Sequence, residues 1–109
     1  MDKNTIAGQI EAEVMLSGYP PKDWRIGITQ NLNDRYECWH NPASFRFWEA
    51  DSLGDAQEIE ALFLDPNLKE KKMQGGVGGD LAPGKKAYVY IFIARETGDE
   101  AAMIDRLAR

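Results

Sequence analysis

Two stretches decide the fold: Trp24-Arg25-Ile26-Gly27-Ile28-Thr29 (WRIGIT, 24–29) and Ala87-Tyr88-Val89-Tyr90-Ile91-Phe92-Ile93-Ala94 (AYVYIFIA, 87–94). In the first, Trp24, Ile26 and Ile28 alternate with Arg25, Gly27 and Thr29. That period of two predicts a half-buried strand. The second is continuously apolar, rich in β-branched and aromatic residues, which predicts a strand buried on both faces. A third strand is expected over 44–50 (SFRFWEA).

Helical patterns lie between and around these strands. Ile6, Ile10 and Val14 recur at i, i+4 and i+8, which predicts a helix over 5–17, with Asn4 as its cap and Gly18 as its stop. Tyr19-Pro20-Pro21 follows as a stiff connector. Residues 31–40 (NLNDRYECWH) predict a short helix ending before Pro42, with Leu32, Tyr36 and Trp39 on one stripe. Residues 53–64 (LGDAQEIEALFL) predict another helix, closed by Asp65-Pro66-Asn67. The stretch 74–86 holds five of the chain's ten glycines and reads as a loop. Residues 98–108 fit a last helix with Met103, Ile104 and Leu107 inward.

The expected order is therefore α-β-α-β-α-β-α, an α+β domain with a small three-stranded antiparallel sheet flanked by helices. One domain is expected over 1–109. Its core is 24–94, preceded by a helix and connector (1–23) and followed by a C-terminal helix or tail (95–109).

Composition narrows the function. The chain has 109 residues, 43% hydrophobic, with 3 Trp, 4 Tyr and 4 Phe, which is incompatible with a disordered chain. The net charge is -5, so neither a basic nucleic-acid coat nor electrostatic binding to an anionic membrane over the whole surface is expected. The charge is uneven. Residues 49–65 carry six acids and no base, whereas 66–86 carry five lysines, at 69, 71, 72, 85 and 86, against Glu70 and Asp80. Residues 24–48 carry Arg25, Arg35 and Arg46 against Asp34 and Glu37. A small local phosphate site therefore remains open. The single Cys38 and single His40 make neither an internal disulfide nor a zinc set, which suits a reducing cytoplasm. No apolar run is long enough to span a membrane, and the N-terminus lacks a secretory apolar region.

One acid, Glu60, and one arginine, Arg35, stand out by their place on helical wheels of about 100° per residue. With Ala56 at zero, Ile59, Phe63 and Leu64 span an apolar arc that includes Glu60, while Glu58 lies opposite. A carboxylate inside a buried face calls for a partner or a metal. The competing reading is a Glu60 at the stripe's edge that swings out to water. Arg35 flanks the stripe of Leu32, Tyr36 and Trp39, where it can reach a phosphate or pack its stem on Trp39.

The order Ile26-Gly27-Ile28-Thr29, Asn31-Leu32, Arg35, then Ala56 and Glu60, resembles the GIY-YIG nuclease superfamily over roughly residues 24–65. It looks closest to a divergent branch in which a basic residue, here Arg25, replaces the second tyrosine. The family's leading Gly-Ile-Tyr strand is replaced by the N-terminal helix and Tyr19-Pro20-Pro21. The resemblance then implies a rearranged topology, in which 87–94 pairs beside 24–29 and Tyr88 or Tyr90 supplies the missing hydroxyl. It further implies an endonuclease domain hydrolysing DNA phosphodiesters with Mg2+ or Mn2+. Glu60 would hold the metal, Arg35 would clamp phosphate, and Arg25 would add a second clamp. A catalytically inactive fold of this type, binding nucleic acid or protein, is the alternative. An unrelated α+β interaction domain fits the same composition.

Overall fold

The computed structural model describes residues 1–65, 67, 72–75 and 81–94. The two deciding stretches lie side by side at the centre of the sheet. β1 (Trp24–Thr29) pairs antiparallel with β4 (Ala87–Ile93), from Trp24 opposite Ile93 to Thr29 opposite Tyr88. β2 (Arg46–Ala50) pairs antiparallel with the other edge of β4, placing Phe47 opposite Tyr90 and Glu49 opposite Tyr88. The expected pairing of 87–94 with 24–29 is thus present.

The sheet is not three-stranded and antiparallel. A short strand, β3 (Gln74–Gly75), adds to β1 in parallel, giving four strands in the order β2-β4-β1-β3. The pairing is two residues long, and the Arg25 guanidinium donates from Nη1 to the Gly75 carbonyl at 2.9 Å. This long-range contact turns the start of the expected 74–86 loop into a strand. β1 is buried along its whole length rather than on one face. Its second face is covered by aromatic rings, which its own alternation does not reveal.

Three helices surround the sheet among the described residues. α1 (Lys3–Ser17) is capped by Asp2, not Asn4: the Asp2 carboxylate accepts the Thr5 amide at 2.9 Å. Gly18 closes it at φ 80, a left-handed conformation that an L side chain rarely adopts. α2 (Leu32–Cys38) is capped by Asn31, and α3 (Leu53–Phe63) by Ser52. Of the expected α2 stripe only Trp39 is fully buried, whereas Tyr36 is 37% exposed. The expected helix over 98–108 and the lysines at 69 and 71 lie outside the described residues.

The sheet separates two clusters. On one face Ile6, Ile10 and Val14 of α1, and Ala56, Ile59 and Phe63 of α3, pack on Ile26, Ile28, Val89 and Ile91. Burying each such aliphatic side chain is worth about 1.5–3 kcal/mol, so this face supplies most of the core's hydrophobic free energy. The other face is aromatic: Trp39, Tyr90 and Phe92, with Phe45 packed against them. No helix among the described residues is long and apolar enough to cross a membrane.

Candidate functional site

The aromatic face positions four of the five residues expected at the site. Arg25, Gly27 and Thr29 point to it from β1, opposite Phe92, Tyr90 and Tyr88 of β4. Gly27 lacks a side chain where the Tyr90 ring and hydroxyl lean across, so a Cβ there would collide with that ring. The absent side chain is what lets the phenol reach over β1.

Arg25 is engaged in holding the fold. Its guanidinium lies 5.1 Å from the Trp39 ring centroid, a cation–π distance, and bonds the Gly75 carbonyl. The side chain is 9% exposed, so it presents little surface to a ligand.

Tyr90 is fully buried. Its hydroxyl and the Trp39 indole nitrogen are neighbours, yet neither completes a well-aligned hydrogen bond among the described residues. Burial pushes the Tyr90 pKa above its usual value; the Trp39 indole and the Arg35 charge pull the other way, and Cys38 and Glu60 add to the rise. Tyr88 is only partly buried.

Arg35 and Glu60 sit on helices that pack on opposite faces of the sheet, so the structure does not gather them on one face. Glu60 is half-buried, and burial raises its carboxyl pKa. Among the described residues, no hydrogen bond or ion pair engages that carboxyl. Glu58, by contrast, is exposed and pairs with Lys3, as an ordinary surface acid does. The described residues contain no group of three or more His, Cys, Asp or Glu placed to hold a metal.

Arg35 opens onto a groove of about 420 Å³ at the end of β1, walled by Thr29, Gln30, Asn31, Asp34 and Leu81. The wall is braced. Gln30 donates from Nε2 to the Ala82 carbonyl at 2.8 Å, and its Oε1 accepts the Ala82 amide at 2.8 Å. The Thr29 hydroxyl donates to the Asn31 carbonyl at 2.9 Å and accepts the Asn31 amide at 3.0 Å. Among the described residues the Arg35 guanidinium has no hydrogen-bond or ion-pair partner. A partly exposed arginine on a braced groove can take an anion in bidentate fashion.

Sequence reasoning missed Gln30 and Phe47. Nothing local signals the Gln30–Ala82 pairing, which spans 52 residues. Phe47 had a signal: in SFRFWEA, Phe45 and Phe47 alternate with Arg46 and Trp48, so large aromatics occupy both faces of the strand.

The fold and groove define a small α+β domain with an arginine-bearing polar groove beside an aromatic sheet face. No family model, no curated protein and no solved structure matches the chain.

Proposed function

We propose that this domain is a catalytically inactive, GIY-YIG-like fold that binds DNA through the Arg35 groove. The observation that carries this reading is the state of Arg35. It is an arginine with no hydrogen-bond or ion-pair partner among the described residues, on a groove braced by Thr29 and Gln30 and shared with the Asp34 carboxylate. Phosphate recognition needs a charged donor presented from a fixed frame, which Arg35 supplies here. Two further features favour binding over cleavage. Arg25, expected as a second clamp, is spent on Trp39 and Gly75. Tyr90, expected to relay a proton, is buried with its pKa pushed up, the opposite of what proton transfer near neutral pH requires.

The test is fluorescence anisotropy of a labelled DNA oligonucleotide at low and moderate salt. Arg35→Ala should weaken binding about tenfold, the cost of losing one charged phosphate contact, and flatten the salt dependence. Unchanged affinity in Arg35→Ala would overturn the assignment.

A second reading, metal-dependent DNA cleavage with Mg2+ or Mn2+ on Glu60, is favoured by one observation: the Glu60 carboxyl is half-buried with no hydrogen-bond or ion-pair partner among the described residues. In that reading Glu60 holds the metal, Arg35 clamps phosphate, and Tyr88 is the more accessible hydroxyl. Plasmid cleavage by wild type that is lost in Glu60→Ala would establish it over the binding reading.

A further inference from the structure

The C-terminal ends of α1 and α3 frame a second recess, on the aliphatic side of the sheet, which shares no lining residue with the Arg35 groove. Its volume is about 710 Å³ and its lining is largely apolar: Val14 and Met15 of α1, Tyr19 and Pro21 of the connector, Leu62 of α3, and Met73. The walls are fixed. The Ser17 hydroxyl donates to the Val14 carbonyl at 2.6 Å and accepts the Tyr19 amide at 3.0 Å. The Met73 amide donates to the Phe63 carbonyl at 2.9 Å, and Gln74 donates from Nε2 to the Lys22 carbonyl at 2.8 Å. Three lining side chains are nevertheless open to solvent: Met15 is 80% exposed, Leu62 47% and Tyr19 40%. A contiguous apolar recess of this kind calls for an occupant.

The path of the chain indicates which. β4 ends at Ile93, opposite Trp24, and Trp24 directly follows the single helical turn Pro21–Asp23 that starts in the recess wall. Residues 95–109, which lie outside the described residues, therefore leave the sheet at the end that the recess borders. Met103 is nine positions beyond Ala94. That length of chain reaches up to about 30 Å, more than a recess of this volume is wide.

The residue pattern fits as well. On a helical wheel Met103, Leu107 and Ile104 fall at about 0°, 40° and 100°, forming one apolar face. Arg106 flanks that face at about -60°, and Asp105 falls opposite at about 200°. Glu11 is the charged residue of the recess lining, and it has no hydrogen-bond or ion-pair partner among the described residues. Asp99 and Glu100 come earlier in the segment, on the side of the chain exit, whereas Glu11 lies about two turns back along α1 from Gly18.

We propose that residues 98–108 fold back into this recess, with Met103, Ile104 and Leu107 against Met15, Tyr19 and Leu62, and Arg106 beside Glu11. The proposal does not depend on the DNA-binding reading of the Arg35 groove.

The experiment is a methyl NOESY spectrum of the full chain with 13C-labelled Met, Ile and Leu methyl groups. Cross-peaks should join Ile104 and Leu107 to Met15 and Leu62. Leu107→Asp should abolish them and move the Met15 methyl resonance, while unchanged amide shifts in β1 and β4 verify that the variant is folded. In a sample mixing labelled and unlabelled copies, the cross-peaks should arise within one copy. Cross-peaks that join different copies would overturn the proposal in favour of a dimer formed through the recess. Absence of the cross-peaks in wild type would overturn it outright.

Discussion

The two faces of the sheet are built from different chemistry. The face under α1 and α3 is largely aliphatic: its isoleucines and valines are buried with Trp24 and Trp48 among them, and the Trp24 indole nitrogen is a buried polar atom without a hydrogen-bond partner among the described residues. The opposite face is aromatic and carries the buried Arg25, the Tyr90 hydroxyl and the Trp39 indole nitrogen. Buried polar groups without well-aligned partners cost free energy that an aliphatic residue would avoid. The first face holds one such atom among the described residues, Trp24 Nε1. The second keeps unfavourable groups beside an open groove, where a functional surface is expected.

The contrast can be broken or sharpened by substitution. The largest effect belongs to the aliphatic face. Ile91→Ala, at a fully buried position, should destabilise the domain by about 2–5 kcal/mol in urea denaturation. It should leave oligonucleotide affinity intact at temperatures where the protein is folded. A loss of affinity in the folded variant would show that the two faces are not separable.

Gly27→Ala comes next. The added methyl meets the Tyr90 ring, whose Cε1 lies 2.9 Å from the Cβ position, and should cost about 1–3 kcal/mol. In a Tyr90→Leu background most of that cost should vanish, because the colliding atoms are gone. Additive losses in the double-mutant cycle would mean that the close approach of Gly27 to Tyr90 is not what demands glycine.

The smallest effect is a pH slope. Burial raises the folded-state pKa of Glu60 above the unfolded value of about 4.3. The folded state then holds that proton more tightly than the unfolded chain. The resulting stability is fully present below the unfolded pKa and is lost as pH rises through the folded one. Glu60→Gln should remove this slope and be at least as stable as wild type at neutral pH. A variant less stable than wild type at neutral pH would mean that the ionised carboxylate has a favourable partner.

Much of the fold is legible in sequence because periodicity reports burial directly. The central pair of β1 and β4, the three described helices and the stops at Gly18 and Pro42 all follow from apolar spacing and local backbone rules. β3 does not, because Gln74-Gly75 carries no strand pattern and depends on an arginine 50 residues away. The site was half legible. The wheel singled out Glu60 against Glu58, and the structure leaves Glu60 half-buried and Glu58 exposed. Arg25 alternates correctly onto the Gly27 face, but local spacing cannot reveal that Trp39 and Gly75 engage it. The expected stripe of α2 fails at Tyr36 because the rings it meets leave part of it in solvent.

The central claim is that ligand binding belongs to the Arg35 groove beside the aromatic face. A titration of the 15N-labelled protein with a DNA oligonucleotide, followed by amide chemical shifts, tests it most directly. The predicted shifts cluster at Thr29–Tyr36, and spare Ile6–Val14 and Ala56–Phe63. Shifts concentrated on α1 and α3, with the groove silent, would contradict the account.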